Sequence, residues 1–354
     1  MTARRRASAP RAATGSDTGA PRPFAPERVR IGVSTCLLGQ LVRYDGQHKR
    51  DAIVCDALAP EVDLVAVCPE VEAGFGVPRE PVRLVKHGTA TRMVGVQSGD
   101  DVSDRMNAWA DTRARALAAS ADLSGYIFKK DSPSCGMTRV KRFPAKPGAS
   151  PARDGVGLFA AALARHLPNL PVEEEGRLQD GVLRDTFLES VFAYRRWRSL
   201  RALLETSASV GALVAFHTAH KLSLLAHVPA AYQALGRIVA SAKDQPRAEL
   251  LARYEEGFMA AMRKPATRGR HTNVLQHMAG YFKKTLDAAA RRELEQVISD
   301  YSAGVAPLAA PLTLLRHHVK RLDVAYLAGQ RYLDPPSEVR AIEARLARAG
   351  IEVR

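Results

Sequence analysis

The first half of the chain alternates short apolar runs with segments of helical periodicity. The runs cover residues 29–34, 63–68, 93–97, 126–129 and 170–173, and the helical segments between them cover 48–58, 102–119 and 155–167. A strand, a helix and a strand in repeated succession predict a parallel sheet with helices on both faces. We therefore expect an α/β domain over residues 29–175, doubly wound, with a mostly parallel sheet.

Strand signals disappear after the acidic stretch 172–180, whereas helical periodicity continues almost to the end of the chain. The predicted helices cover 183–204, 210–225, 230–241, 247–262, 271–287, 291–303, 312–328 and 337–349. An all-α region is expected to follow the α/β domain. We divide it into a linker and connecting helix over 176–204, a helical domain over 205–335 and a C-terminal helix over 336–354.

Composition narrows the classes of protein that this chain can belong to. Of its 354 residues, 46% are hydrophobic and 25% charged, and no apolar run approaches the roughly 20 residues that cross a bilayer, so no membrane association is expected. Four cysteines are too few for a secreted disulfide framework, which favours a reducing compartment, the cytoplasm. Protein partners are left unknown.

Positive charge is in excess along the chain. The net charge of +15 favours a polyanionic partner, with nucleic acid first, although surface arginines in contact with water are the alternative. Residues 1–28 carry six arginines and no apolar signal core, and they are predicted to form a disordered basic tail. An organellar targeting peptide has a similar composition and remains open as a role for this tail.

Three of the four cysteines follow apolar runs. Cys36, Cys68 and Cys135 occur beside glycine, proline and serine, whereas Cys55 lies within a helical segment and is predicted to pack there. Ligands bind beyond the carboxyl ends of parallel strands, so the three thiolates are expected to meet at one edge of the sheet. They suit an open-sited metal or iron–sulfur centre more than structural zinc, because Cys-x-x-Cys pairs are absent. Three buried cysteines without metal are the alternative.

Polar residues near these cysteines suit proton transfer and substrate contact. Glu70 follows Cys68 by two positions and is the favoured group for activating water, and Ser132 is a second candidate that alternatively stabilises its turn. Contact with a nucleobase or phosphate is predicted for Arg43, Arg79 and Lys129, with ordinary surface ion pairing as the alternative, and Asp45 is a further candidate for substrate binding.

Several motifs in order resemble the thiouracil desulfidase family over about residues 29–175. They are Cys36-Leu-Leu-Gly39, Arg43-Tyr-Asp-Gly46, Cys68-Pro-Glu70, Pro78-Arg79 and Ser132-Pro-Ser-Cys-Gly136. The resemblance implies a 4Fe-4S cluster held by three protein cysteine ligands, Cys36, Cys68 and Cys135. It further implies non-redox removal of sulfur from a thiolated pyrimidine substrate, with Glu70 and Ser132 as the acid/base pair. Residues 72–76 depart from the glycine-rich stretch of many relatives, which puts the shape of the substrate pocket in question.

The helical region contains a basic segment that suits RNA. Residues 263–286 hold six cations and no acid, interleaved with amide and aromatic side chains that suit phosphate contact and base stacking. A core helix with one polar face is the alternative. The residues predicted to contact tRNA are Arg268, Arg270, His271, Asn273, Lys283 and Lys284. His217, His220 and His227 have helical spacing and are predicted to be hydrogen-bonded core histidines, with metal ligation as the alternative.

This region is similar to a helical domain once listed as of unknown function. The motifs that carry the similarity are Phe216-His-Thr-Ala-His-Lys221, His271-Thr-Asn-Val-Leu-Gln-His277, Gly280-Tyr-Phe-Lys-Lys284 and Gln330-Arg-Tyr-Leu333. Fused behind the desulfidase domain, it resembles the tRNA 4-thiouridine desulfidases, which implies conversion of 4-thiouridine to uridine in tRNA with release of sulfide. Desulfuration of free thiouracil or thionucleotides, and redox sensing by a non-catalytic nucleic-acid-binding cluster protein, are the alternatives.

Overall fold

The structure is a computed structural model that describes residues 28–145 and 150–351. The predicted basic tail lies outside these ranges, apart from its last residue, Arg28. The described strands are β1 Arg30–Ser34, β2 Asp63–Val67, β3 Val82–His87, β4 Ala90–Gly95, β5 Leu123–Phe128, β6 Val140–Pro144, β7 Ala152–Gly155 and β8 Val172–Glu174.

The described α-helices fall mainly in the second half of the chain. They are α1 Pro69–Glu72, α2 Ser103–Ala119, α3 Leu158–His166, α4 Gly181–Thr206, α5 Val210–Ala219, α6 Lys221–His227, α7 Pro229–Ala240, α8 Arg247–Met262, α9 Arg268–Ala279, α10 Ala288–Ala303, α11 Ala309–Arg321, α12 Ala325–Ala328 and α13 Ser337–Arg348. The prediction of an all-α region after the α/β domain is confirmed. Within residues 28–145 and 150–351, no helix is both long and apolar enough to cross a membrane.

The first sheet is entirely parallel. Its strand order is β2-β1-β5-β8, which places β1 and β5 in the centre. On one face, Tyr126 and Phe128 pack with Phe159 of α3 and with α2. On the other face, Ile127 packs with a π-helical segment, Ile53–Leu58, and with α4 and α13. Helices on both faces confirm the doubly wound arrangement.

A second, mixed sheet was only partly predicted. Its strand order is β4-β3-β6-β7, with β3 and β6 parallel and the outer pairs antiparallel. The run 93–97, predicted as a buried parallel strand, instead contributes to β4, which pairs antiparallel with β3. Strands β3, β6 and β7 were missed because charged side chains interrupt their short apolar runs where a face of the sheet meets water.

The predicted helix over 48–58 was also wrong in its first part. Only Ile53–Leu58 is helical, and residues 48–51 are irregular. The backbone there is tied to the chain before it, since Lys49 and Asp51 donate their amides to the carbonyls of Cys36 and Leu37, both at 2.9 Å. Those bonds bring this segment against the end of β1.

The first and last helices of the second half belong by packing to the α/β domain. Helix α4 is capped at its amino end by Asp180, whose Oδ1 accepts hydrogen bonds from the amides of Val182 and Leu183. Along α4, Phe187, Leu188 and Val191 join the core against β1 and β5. Val339, Ile342 and Leu346 of α13 join the same core, and Arg345 pairs with Glu61 at 2.9 Å. Removal of residues 181–354 would therefore expose one face of the parallel sheet.

Candidate functional site

The three strand-associated cysteines occupy one edge of the parallel sheet. Cys36 lies in a single 3₁₀ turn that follows β1, Cys68 immediately precedes α1 at the end of β2, and Cys135 lies in the loop between β5 and β6. Because β1 is hydrogen-bonded to both β2 and β5 in parallel, the three carboxyl ends share an edge. The expected convergence of the cysteines is confirmed.

All three cysteines line one cavity of about 320 Å³, hereafter the cysteine cavity. Other residues on its walls include five that the sequence singled out: Arg43, Glu70, Arg79, Lys129 and Ser132. Asp45 is not on the wall; it pairs with Arg43, Nε to Oδ1 at 3.3 Å. Cys55 also lies apart from the other cysteines, with its Sγ 3.3 Å from the carbonyl oxygen of Leu37.

The cysteine thiols lie in surroundings that suit a bound cation. Burial, and then the charge of the nearby Cys68, raises the pKa of the Cys36 thiol to about 11. Burial also raises the pKa of Cys68 and, strongly, that of Cys135. Thiolate charge in this cavity therefore needs a positive partner, which a soft metal centre would provide while displacing the protons.

The donor set fits a cluster better than a single ion. Within residues 28–145 and 150–351, no group of three or more His, Cys, Asp or Glu side chains is arranged to hold one metal ion. A 4Fe-4S cluster takes one thiolate on each of several irons, so its ligands surround a larger object than one ion. Three cysteines around one cavity suit that arrangement.

The loop that carries Cys135 is held by the beginning of α3. The amides of Gly157, Leu158 and Phe159 donate to the carbonyls of Gly136, Pro133 and Ser134 at 2.8, 3.1 and 3.0 Å. A side chain at position 157 would meet the backbone of Ser134 at 2.6 Å, so only glycine permits this approach. Sequence reasoning missed Gly157, because nothing next to it in the chain marks the contact.

The carboxylate of Glu70 is held in place by hydrogen bonds to both of its oxygens. Its Oε2 accepts hydrogen bonds from Arg79 Nε and Nη2 at 2.9 and 2.6 Å, and its Oε1 accepts one from Ser134 Oγ at 2.8 Å. Arg79 is only 6% exposed, and its Nη1 donates to the carbonyls of Val42 and Gly76. Arg79 therefore positions Glu70, rather than presenting a free guanidinium to a ligand.

Ser132 supports the turn that carries Cys135. Its Oγ accepts hydrogen bonds from the amides of Ser134 and Cys135 at 3.2 and 3.1 Å. This geometry matches the turn-stabilising alternative, and it leaves the hydroxyl proton of Ser132 available to a group in the cavity. Ser134, which holds Glu70, was missed although it lies within the Ser-Pro-Ser-Cys motif.

Lys129 also has a partner that was not predicted. Its ammonium is paired with Glu175, and the Oε2 of Glu175 accepts a hydrogen bond from the amide of Lys130 at 2.8 Å. The Lys129 amide donates to Ser34 Oγ at 3.0 Å. Glu175 lies within the acidic stretch 172–180, which is the one signal that would have identified it.

The predicted tRNA contacts separate into exposed and structural residues. Asn273, Lys283 and Lys284 are exposed. Arg268 is exposed as well but donates to the carbonyl of Tyr301 at 2.8 Å, and the half-buried Arg270 donates to that of His227 at 2.6 Å. His271 is buried, with its Nδ1 2.6 Å from the hydroxyl of Tyr332. It is therefore not on the surface that an RNA could contact, contrary to the expectation from the sequence.

An aromatic pair lies beside these lysines. Tyr281 is 40% exposed and stacks on Tyr326, with ring centroids 5.3 Å apart and an interplanar angle of 15°. Lys221 lies 5.8 Å from the centroid of the Tyr326 ring. The exposed residues Asn273, Tyr281, Lys283 and Lys284 are named the basic helical surface below.

The histidines of the helical region lie in its interior. His217 bonds to the Tyr254 hydroxyl at 3.1 Å, His220 to the carbonyl of Phe216 at 2.8 Å, and His227 to both the Lys264 carbonyl and Glu189. All three are less than 9% exposed. The prediction of hydrogen-bonded core histidines is confirmed.

Comparison with known proteins agrees with the two-part organisation. The family model for 2-thiouracil desulfurase matches residues 31–175, and the model for a protein of unknown function, DUF1722, matches residues 221–336. The chain is 34% identical over 151 residues to the uncharacterized protein YbgA of Escherichia coli K12, covering 42% of this chain and 88% of that protein. It is 36% identical over 113 residues to the uncharacterized protein YbbK of Bacillus subtilis 168, covering 30% of this chain and 72% of that protein.

A solved structure is also similar. The [4Fe-4S]-dependent thiouracil desulfidase TudS is 36% identical, with 42% of this chain and 92% of TudS covered and a TM-score of 0.35. Both resemblances read from the motifs, one in each half of the chain, are matched by family models. The chain belongs to the 2-thiouracil desulfurase family and carries a DUF1722 region behind the desulfurase domain.

Proposed function

We propose that this protein is a 4Fe-4S-dependent desulfidase that converts 4-thiouridine in tRNA to uridine. One observation carries the proposal: three cysteines that are distant in the sequence line a single cavity together with an oriented carboxylate. The net reaction exchanges the thiocarbonyl sulfur for the oxygen of water and releases hydrogen sulfide, so no electrons are gained or lost. Four free cysteines suit a reducing compartment such as the cytoplasm.

Cys36, Cys68 and Cys135 would hold the cluster. When bound, a cluster with three cysteine ligands supplies an iron with an open position, which is a Lewis acid for a soft sulfur atom. The chain contributes the shape of the cavity and hydrogen bonds to the ligand loops. Cys55, outside the cavity, has no part in this set.

Glu70 is the general base of the proposed reaction. Arg79 donates two hydrogen bonds to Oε2 and so fixes the orientation of the carboxylate that would accept a proton from water. Among the described residues, Ser134 alone donates a hydrogen bond to Oε1, and a carboxylate oxygen has room for a second donor. A water molecule in the cavity can therefore donate to Glu70 while its oxygen faces the ring carbon of the substrate.

Ser132 and the basic residues have supporting roles in the proposal. The Ser132 hydroxyl proton faces no acceptor within the turn, so it can donate toward the departing sulfur. Lys129 is neutralised by Glu175 and helps to hold the loop after β5. Arg43, which is paired with Asp45, lies on the wall of the cysteine cavity, where it would contact the polar edge of the substrate.

The helical region would supply tRNA recognition. Lys283, Lys284 and Asn273 are exposed and can contact phosphates, and Tyr281 offers a ring face for stacking on an unpaired base. Lys221 beside the tyrosine pair adds positive charge without an acidic partner among the described residues. Arg268 and Arg270 stabilise this region through the backbone carbonyls that they contact.

A second candidate function is desulfuration of free thiouracil or thionucleotides. The family's own description, 2-thiouracil desulfurase, favours it. The two candidates are distinguished by comparing the two substrates with full-length protein. A shortened protein is unsuitable, because α4 and α13 cover one face of the parallel sheet. A kcat/KM for thiolated tRNA below that for free thiouracil would favour this candidate.

The decisive test is anaerobic incubation of cluster-reconstituted protein with thiolated tRNA, followed by mass analysis of the nucleosides. We expect 4-thiouridine to decline, uridine to increase and sulfide to appear in equal amount. Cluster loading without sulfide release or thiouridine loss would overturn the enzyme proposal and leave the redox-sensing alternative.

A further inference from the structure

A second cavity, of about 650 Å³, lies where α4, the end of α5 and the segment before α13 meet. Its walls include three arginines, Arg195 and Arg196 from α4 and Arg331 from the segment after α12, which define it here as the arginine cavity. Ser199 and His220 also line it. None of these residues belongs to the cysteine cavity.

The three guanidinium groups lack acidic partners. Among residues 28–145 and 150–351, no carboxylate oxygen lies within 4.0 Å of a guanidinium nitrogen of Arg195, Arg196 or Arg331. The side chains of Arg195 and Arg331 make no hydrogen bond to these residues. Arg196 makes one, from its Nε to His220 Nε2 at 3.2 Å.

His220 cannot neutralise this positive charge. Its Nδ1 bonds to the carbonyl of Phe216 at 2.8 Å, so Nδ1 carries the proton and Nε2 is the acceptor for Arg196. Burial, and then the charge of Arg196, lowers the pKa of His220 to about 3. The ring is therefore neutral at physiological pH.

Two of the arginine charges act on each other. Burial, and then the charge of Arg331, lowers the pKa of Arg196 to about 10. Positive charges that are close together and partly removed from water destabilise a fold unless an anion lies between them. Arg196 and Arg331 lie on different elements, and a bound anion would join those elements.

Two acidic residues, Asp334 and Glu338, also line the arginine cavity, and both already have partners, as does Glu189 nearby. Asp334 pairs with Arg340 at 3.2 Å, and Glu338 accepts a hydrogen bond from Ser337 at 3.0 Å. Glu189, which raises the pKa of Arg196 slightly, is bonded to His227 at 2.6 Å. These carboxylates moderate the positive charge of the cavity without pairing with its arginines.

We propose that the arginine cavity binds a phosphate group. The planar guanidinium of arginine presents parallel N–H donors that match two phosphate oxygens, and Arg196 and Arg331 approach from different elements. The Ser199 hydroxyl adds a donor on the α4 wall. A carboxylate has one negative charge and two oxygens, and satisfies three cationic forks less well than phosphate does.

The position of the cavity restricts where the phosphate comes from. Val29, at the amino end of β1, lines the arginine cavity, whereas Cys36 follows the carboxyl end of the same strand. Five strand residues span roughly 17 Å, so a single nucleotide does not occupy both cavities. The phosphate belongs either to an RNA that reaches beyond its reacting nucleotide, a source that rests on the proposed function, or to a separate small phosphate compound.

Calorimetric titration of full-length protein with inorganic phosphate tests the site directly. We expect binding that Arg196→Gln and Arg331→Gln each weaken about tenfold or more, because each removes a charge-assisted hydrogen bond. Arg237→Gln, which removes an exposed charge on α7, should bind like the parent protein. Equal phosphate affinity in all four proteins, or none in the parent protein at millimolar concentrations, would overturn the proposal.

Thermal unfolding separates loss of the site from loss of the fold. Arg331 is exposed, so its variant should unfold at the parent temperature without phosphate and gain less stabilisation when phosphate is added. Arg196→Gln should be as stable as the parent protein or more so without phosphate, because it relieves repulsion. Equal stabilisation of parent and variants by phosphate would count against the site.

Unmodified tRNA identifies the source of the phosphate, and it does so whether or not the protein desulfurates anything. If RNA supplies the phosphate, Arg331→Gln should weaken tRNA binding and reduce the slope of log affinity against log salt by about 0.9. If tRNA binding is unchanged while phosphate binding is lost, the site stands and takes a small phosphate compound.

Discussion

The cysteine cavity and the basic helical surface differ in how firmly their polar side chains are held by neighbouring groups. In the cysteine cavity the polar side chains next to the cysteines are held by other groups, as Glu70 is by Arg79 and Ser134 and Lys129 is by Glu175. On the basic helical surface, Lys283 and Lys284 are exposed and make no ion pair to the described residues. Chemistry requires atoms at defined positions, whereas attraction of a polyanion requires only charge on the correct side of the molecule.

The comparison predicts abrupt losses in the cavity and graded losses on the surface. The largest effect should follow removal of a cluster ligand. We expect Cys36→Ala, Cys68→Ala and Cys135→Ala each to abolish the visible absorption of reconstituted protein, because no other cysteine lines the cavity. Cys55→Ala is the matched control and should retain it. A full cluster signal in any of the first three variants would contradict the ligand assignment.

The second-largest effect should follow replacement of the Glu70 carboxylate. Glu70→Gln keeps the shape of the side chain but cannot accept a proton, so we expect turnover to fall about 10²- to 10⁴-fold with the cluster absorption unchanged. Glu256→Gln, which changes an exposed carboxylate of α8 outside the cavity, is the control. Normal turnover by Glu70→Gln would remove Glu70 from catalysis.

A change in the support of the Cys135 loop should have an intermediate effect. We expect Gly157→Ala to lower the amount of cluster retained, because its new methyl group would meet the backbone of Ser134 and Cys135 at under 3 Å. Gly269→Ala is a matched control, since nothing lies within 4 Å of a methyl group there. Iron and sulfide analysis measures the difference, and equal cluster content in the two variants would show that the loop adapts.

The basic helical surface should respond more weakly. Lys283→Gln with Lys284→Gln should weaken tRNA binding severalfold and reduce its salt dependence, while activity on free thiouracil stays the same. Arg237→Gln with Lys243→Gln changes the net charge equally at other exposed positions and is the control. The same loss in both double variants would attribute binding to net charge alone.

The smallest effect should concern stability and pH. Burial opposes protonation of His227, but its bond to Glu189 and that residue's charge outweigh burial and raise the pKa of His227. A raised pKa adds stability that is complete below the unfolded value of about 6.5 and is lost as pH rises through the folded value. We expect the free energy of unfolding to fall more steeply above pH 6.5 in the parent protein than in Glu189→Gln. Parallel denaturation curves across that range would refute the link.

Much of the fold followed from local patterns. Strands β1, β2 and β5 are continuous apolar runs because helices cover both of their sides, and such runs are legible without a structure. Strands β3, β6 and β7 carry charges on a face near water, and the segment 48–51 is shaped by bonds to the carbonyls of Cys36 and Leu37. Their form depends on partners that local periodicity does not encode.

For the site, the sequence alone determined the chemistry-bearing residues, their order and the edge of the sheet where they meet. Parallel strands all end at the same edge of their sheet, so cysteines that follow such strands converge at that edge. Tertiary structure alone decided the partners: Ser134 and Arg79 on Glu70, Glu175 on Lys129, Gly157 under the Cys135 loop, and the burial of His271. Which distant side chain completes a hydrogen bond or fills a space depends on how whole elements pack, and no neighbour along the chain records it.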